Sequence, residues 1–227
     1  MPAFQNVQAT SERLTTLEAG LYFANPRRSR GAVDDEKGVM ADAVLFTNYV
    51  NGKVIPQLHG TLDLGIALPL GHSSLWLRNA AGYAHGDADD PYANFFFGGF
   101  GNNYVDANRP EKRYREYDSF PGFGINELRG RRFSRHIVEA NLPPYVFESV
   151  GTPAFHLAWM RTALFASALF TDKTAGEAGR YRNAGAQVDL RFSVLHWYQM
   201  TLSVGAAAGF RGGERAGHEV MVSLKIM

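Results

Sequence analysis

The sequence predicts an all-β protein, an antiparallel transmembrane β-barrel, on three observations. Apolar residues alternate with polar or small ones, the alternating runs reach 11 to 13 residues, and charged residues occupy the parity opposite to the aliphatic one. Successive side chains of a strand point to opposite faces, so a period of two indicates strands rather than helices. Membrane-spanning strands need roughly 9–11 residues, whereas strands of globular proteins average about 5–6.

The clearest run extends over 58–70, and similar alternation covers 184–194, 200–210 and 220–226. The opposite parity carries Asp63, Asp189, Arg191 and Lys225. This pattern is typical of a barrel whose aliphatic side chains face lipid while its polar side chains face the lumen. Nine strands are expected, at about 13–24, 38–50, 53–70, 73–85, 134–142, 153–171, 180–195, 198–211 and 218–227.

We expect a single barrel domain over 1–227, with a long irregular loop at 86–132 between the fourth and fifth strands. Single-chain bacterial barrels usually have an even number of strands, so about 9–10 strands indicate part of a larger barrel. The N-terminus lacks the basic and apolar regions of a secretory signal, and no charge-free run of 18 apolar residues occurs. Either a signal was removed or the chain is a C-terminal fragment of a longer one, and we favour the fragment.

Composition and motifs argue against catalysis and nucleic-acid binding. The formal net charge of +1 provides no basic field for nucleic acid, and the chain has no cysteine for a disulfide, a thiolate metal site or a nucleophile. The seven histidines show no metal-ligand spacing. Asp87, Asp89 and Asp90 lack the register of an EF-hand, and Ser193 and His196 differ in parity. We expect no enzymatic activity, no metal and no cofactor.

The loop and the strands after it carry three features that belong together. A glycine pair, Gly98 and Gly99, precedes an Arg-Gly motif. Five predicted strands follow; Glu139 lies on the first and Asp172 at the end of the second. The Arg-Gly motif consists of Arg129, Gly130, Arg131, Arg132 and Phe133.

In these features the chain resembles the C-terminal half of barrels of the bacterial surface-antigen superfamily. That superfamily includes the BamA-type assembly barrels and the transporters of two-partner secretion. The resemblance implies a loop that folds back into the lumen, where one arginine meets an acidic partner. Because 104–126 lengthens the spacing between the two motifs, Arg129, Arg131 and Arg132 all remain candidates, with Glu139 or Asp172 as the partner. The alternative is that the motif forms a solvated basic turn.

The expected function is protein translocation or assembly at the bacterial outer membrane, or anchoring of an N-terminal domain in that membrane. The implied partners are outer-membrane lipid and a polypeptide cargo, a periplasmic domain or a partner chain, with no nucleic acid. Two alternatives stay open, a passive porin-like channel and a soluble β-sandwich that acts as a binding module.

Overall fold

The chain folds as an all-β protein. The computed structural model describes residues 14–50, 52–87, 89–101, 111–174, 177–195 and 197–226. Two short 3-10 helices, Pro91–Ala93 and Arg113–Arg115, accompany the strands in these ranges, and none of the described helices is long and apolar enough to cross a membrane. The strands are β1 (Leu14–Arg27), β2 (Lys37–Val50), β3 (Lys53–Ala67), β4 (Ser74–Ala84), β5 (Phe95–Phe97), β6 (Leu128–Gly130), β7 (Arg132–Asn141), β8 (Tyr145–Val146), β9 (Gly151–Thr152), β10 (Phe155–Thr174), β11 (Glu177–Val194), β12 (Tyr198–Arg211) and β13 (Glu214–Ile226).

Nine long strands form one antiparallel sheet in the order β1-β2-β3-β4-β7-β10-β11-β12-β13. These are the nine strands that the alternation predicts. The short strands β8 and β9 pair with β10, and β5 and β6 form a separate two-stranded ribbon inside the long loop. Along the described chain the sheet is open, with β1 and β13 at its two ends. The antiparallel fold is thus confirmed, and the barrel remains a proposal.

The two faces of the sheet differ in chemistry. We name the face that bears Leu77, Val138 and Val204 the outer face, and the face that bears Trp76, Glu139 and Gln187 the inner face. On the inner face many polar and charged side chains are buried, among them Glu139 and Asp189 with no exposed surface. Exposed aliphatic residues of the outer face include Leu21, Leu45, Leu58, Leu62, Leu64, Leu77, Val138, Leu164, Val204, Val220, Val222 and Leu224.

The long loop between β4 and β7 lies against the inner face. Phe100 packs with Ile137, Phe165 and Met221 in one buried cluster, so the loop meets β7, β10 and β13. A second cluster joins Phe97, Phe120, Phe123 and Leu128 of the loop to the sheet residues Ala80, Phe133 and Leu169. The hydrophobic core of the protein therefore lies between this loop and the sheet.

Candidate functional site

An ion-pair network joins the loop to the inner face. Among the described residues it contains five carboxylates and five cations, and neighbouring members are linked by contacts within 4.0 Å. The members are Asp34, Asp63, Glu111, Glu139, Asp189, Arg78, Lys112, Arg115, Arg161 and Arg191.

Glu139 of β7 is one centre of the network. Its side chain has no exposed surface, and its Oε2 accepts hydrogen bonds from Nε of Arg115 at 2.9 Å and from Nε of Arg78 at 3.0 Å. Arg115 also donates from Nη2 to the other carboxylate oxygen, so the loop arginine binds Glu139 in the bidentate mode. A buried carboxylate is stable only when it is paired and hydrogen-bonded. Glu139 therefore fixes residue 115 of the loop to the sheet.

The turn between β1 and β2 contributes Asp34 to the same network. Asp34 accepts a hydrogen bond from Nζ of Lys112 at 2.6 Å and from Nη2 of Arg115 at 3.3 Å. Burial disfavours the charged form of Asp34, but the neighbouring cations, Arg115 first, outweigh it and hold the pKa of Asp34 well below its usual value. The N-terminal turn is thereby tied to the loop.

Lys112 is a buried ammonium group of the loop. Its Nζ donates to Asn141 Oδ1 at 2.5 Å as well as to Asp34. Burial, followed by repulsion from Arg115, lowers the pKa of Lys112 to about 8. Lys112 adds a second attachment of the loop to β7.

Asp189 of β11 is the other centre of the network. It accepts hydrogen bonds from Nε of Arg161 at 2.9 Å and from Ser203 Oγ and Gln187 Nε2, each at 2.6 Å. The loop reaches this centre through Glu111, which pairs with Arg161 and accepts a hydrogen bond from Thr201 Oγ1 at 3.2 Å. The loop segment 111–115 thus spans the sheet from β7 to β12.

The loop is also clamped to β12 and β13. Glu219 accepts hydrogen bonds from the backbone N–H groups of Phe100 at 3.1 Å and Gly122 at 3.0 Å. Gly122 has a φ of +94°, and a Cβ atom there would lie 2.5 Å from the backbone nitrogen of Gly209. A side chain at residue 122 would therefore clash with the sheet, and glycine permits this close approach.

The glycine pair of the sequence motif shapes the loop behind this contact. Gly98 has a φ of +148° and its Cβ position lies 1.9 Å from the backbone oxygen of Gly124, so only glycine fits there. Gly99 donates its N–H to Phe123 O and accepts from the N–H of Phe120, each at 3.0 Å. The pair thus connects the two arms of the loop.

The structure places the Arg-Gly motif at the rim of the sheet. Arg131 approaches Asp172, with Nε 3.7 Å from Oδ2, and the backbone N–H groups of Arg131 and Arg132 donate to Asp172 Oδ1 at 2.9 and 3.2 Å. On the outer face, the guanidinium carbon of Arg132 lies 5.0 Å from the centroid of the Tyr83 ring. Arg129 belongs to β6 and is exposed.

Gly130 and Phe133 of the same motif are packing positions. A Cβ atom at Gly130 would lie 2.8 Å from the side chain of Thr171. The ring of Phe133 makes edge contacts with Phe95 and Phe97, each with 4.8 Å between ring centroids. The motif therefore starts β7 and anchors the ribbon β5-β6.

The sequence left Glu139 and Asp172 open as partners of the motif arginine, and the contacts in the structure bear on that choice. Arg131 and Asp172 do come together, but at a partly exposed position, and the partners of Glu139 described above are Arg78 and Arg115. Arg132 falls on the outer parity, and Arg131 precedes β7, so the motif lies at the edge of the sheet rather than over Glu139. Arg115 lies in 104–126, the segment that lengthens the spacing between the motifs.

Sequence reasoning missed Glu111, Lys112, Arg115, Gly122 and Glu219. One local signal was present, because 111–116 reads EKRYRE and places five charges in six residues beside an aromatic side chain. Glu219 and Met221 occupy alternate positions of β13, and the aliphatic residues of that strand occupy the positions between them. Charges concentrated in a loop or on an inward parity indicate residues that need partners.

A cavity of about 530 Å³ lies beside the clamped loop. Its walls are the inner faces of β1 to β4 and β7 together with residues 115–117. His59 lines it and stacks on Tyr117, with 4.2 Å between the ring centroids. In the described parts of the chain, no group of three or more His, Asp or Glu side chains is arranged to hold a metal ion.

Comparison of the chain with known protein families, curated proteins and solved structures finds no match. The fold and the site therefore define the class on their own. The chain is an all-β protein with one antiparallel sheet, an exposed aliphatic outer face and a loop clamped to a polar inner face.

Proposed function

We propose that this chain is part of a plugged β-barrel of the bacterial outer membrane, of the surface-antigen type. In that role it acts in protein translocation or assembly at the membrane, or anchors an N-terminal domain there. Outer-membrane lipid would contact the outer face, and the clamped loop would occupy the lumen.

The observation that carries the proposal is the distribution of apolar and polar side chains between the two faces. A soluble sheet buries its aliphatic parity and exposes its polar parity. Here the aliphatic parity is exposed, with Val222 at 65% and Val138 at 51%, while Glu139 and Asp189 of the opposite parity are fully buried. Membrane barrels have this inverted arrangement. One continuous sheet of nine strands also differs from the two stacked sheets of a β-sandwich.

The clamped loop favours a plugged barrel over an open channel. Residues 111–123 lie across the inner face and are fixed by Glu139, Asp34 and Glu219. The passive channel remains a second candidate because of the cavity of about 530 Å³ beside the loop. The two candidates differ in whether removal of the clamp changes conductance.

Membrane insertion can be tested with the substitution Val204→Arg on the outer face of β12. A charge near mid-membrane on a lipid-facing position costs about 2–4 kcal/mol. We expect the variant to float poorly with liposomes and to lose heat-resistant migration on a gel. Gly71→Arg is the matched control, because Gly71 lies in a turn with open space around it. A wild-type protein that stays soluble and monomeric without detergent would refute the proposal.

Conductance across planar bilayers distinguishes the plugged barrel from the channel. The plugged barrel predicts little conductance in the wild type and an increase in Arg115→Ala, which releases the loop from Glu139. A porin-like channel predicts a large and similar conductance in both proteins. The second result would favour the passive channel.

A further inference from the structure

The two ends of the sheet are long and open along the described chain. β1 has 14 residues and pairs with β2 along its whole length, and β13 has 13 residues and pairs with β12. Each end strand also has backbone N–H and C=O groups on its other edge. No described strand pairs with that edge. Exposed backbone groups of this kind cannot remain unsatisfied in a bilayer. In the barrel of the proposed function, both ends therefore need partner strands.

The directions of the end strands decide which partner fits. Neighbouring strands of the nine are antiparallel, so the first and the last run in the same direction. Direct pairing of β1 with β13 would be parallel. A second copy inserted in the same orientation would also offer only parallel partners at either end. An all-antiparallel closure requires an odd number of additional strands between β13 and β1.

The volume needed above the inner face also indicates that additional strands are required. Barrels of about eight strands have an interior that their own side chains fill. The inner face here already holds the loop residues 95–101 and 111–123 and a cavity of about 530 Å³. A barrel closed by nine strands would be only slightly wider than one of eight, so this content argues for closure by more strands.

We propose that β1 and β13 are docking edges for an odd set of further antiparallel strands supplied by polypeptide outside residues 14–226. This inference rests on the proposed membrane barrel. The partner strands continue both faces of the sheet, with aliphatic side chains outward beside Leu21 and Val222 and polar side chains inward beside Glu18. With nine strands present, an odd addition gives the even total that bacterial barrels usually have.

Distances between spin labels test whether the sheet closes on itself. The chain has no cysteine, so the pair Leu21→Cys and Val222→Cys labels β1 and β13 uniquely. The control pair is Val204→Cys and Val222→Cys, which lie directly opposite each other on adjacent strands. In detergent micelles we expect a clearly longer distance for the β1–β13 pair than for the control. Equal distances would show closure by nine strands and overturn the inference, while the membrane barrel itself would stand.

Disulfide trapping tests whether the β1 edge accepts a strand. The probe is a synthetic peptide that copies residues 198–211 with cysteine in place of Val204, since that strand already pairs antiparallel with β13. We expect it to cross-link to Leu21→Cys at least several-fold more than to Val138→Cys. Val138 is also exposed on the outer face, but β7 has neighbours on both sides.

Two outcomes of the trapping experiment would overturn the assignment. Equal cross-linking of the peptide to both variants would show that the β1 edge has no preference for a strand. A disulfide that joins Leu21→Cys in two copies of the chain would make a second copy the occupant. A protein that dissolves without detergent would instead refute the membrane barrel.

Discussion

The C-terminal and N-terminal strands of the sheet differ in what covers their inner faces. On β11 and β12 the inward residues Gln187, Asp189 and Thr201 are fully buried under the loop. On β1 both parities are exposed, and Leu21 reaches 78%. Both regions have the alternation of apolar and polar residues. The difference shows that alternation determines the face of a side chain, whereas the loop determines whether that side chain is buried.

This difference implies an uneven distribution of stability. Polar groups under the loop are desolvated and depend on their partners, so losing one partner is costly. Polar groups on the uncovered inner side of β1 keep their contact with solvent, so their loss costs little. Substitutions of the same chemical kind in the two regions should therefore have different effects.

The largest expected effect is that of Glu139→Gln, which leaves Arg78 and Arg115 without their shared carboxylate. Breaking a buried ion pair from one side costs roughly 3–5 kcal/mol. Glu18→Gln, an exposed position of β1 with the same change, should alter the free energy of unfolding by less than about 0.5 kcal/mol. Urea unfolding in detergent, followed by tryptophan fluorescence, measures both. Similar losses for the two variants would remove the distinction between the regions.

Because the pKa of Asp34 is lowered, we expect acid to weaken the contact between the β1–β2 turn and the loop. Its pKa in the folded protein lies below the ordinary value of 3.8, so the folded state binds fewer protons than the unfolded state. The stabilisation is present above the ordinary pKa and is lost as the pH falls toward the folded value. Asp34→Asn should remove it and cost about 1.5–3 kcal/mol at neutral pH, the usual worth of hydrogen bonds to a charged group.

The measurement is the free energy of unfolding of wild type and Asp34→Asn between pH 6 and about pH 3. We expect the difference between the two proteins to shrink as the pH falls. A constant difference over this range would mean that ionisation of Asp34 does not hold the turn.

Gly122→Ala tests the contact between the loop tip and the sheet. The added Cβ would lie 2.5 Å from the backbone nitrogen of Gly209, and overpacking of this kind costs typically about 1–3 kcal/mol. Trypsin cleavage within the loop should become faster in the variant. Gly71→Ala, with no atom near the added methyl group, should cleave like the wild type. Unchanged cleavage in Gly122→Ala would show that the tip is not fixed there.

The smallest effect is expected for Arg131→Ala at the rim. Arg131 is 38% exposed and its guanidinium lies 3.7 Å from Asp172, so the pair should contribute no more than about 1 kcal/mol. Arg115→Ala should cost clearly more in the same unfolding measurement. A larger loss for Arg131→Ala than for Arg115→Ala would return the key role to the Arg-Gly motif.

The sequence predicts the strands well because alternation is a local property. All nine expected strands are present, and the aliphatic parity, for example Leu62 and Leu64, is the exposed one. The clamp of the loop depends on contacts between residues far apart in the chain, such as Gly122 with Glu219. No local pattern specifies such pairs, and the choice among several arginines is therefore decided only by the fold.

We propose that the outer face contacts lipid. Single spin labels at Val204→Cys and Ser203→Cys, adjacent residues of β12 on opposite faces, test it in liposomes through collision with oxygen and with a water-soluble nickel reagent. We predict that the label at residue 204 collides often with oxygen and rarely with nickel, whereas the label at residue 203 is shielded from both. Frequent nickel collision at residue 204 would contradict the membrane barrel.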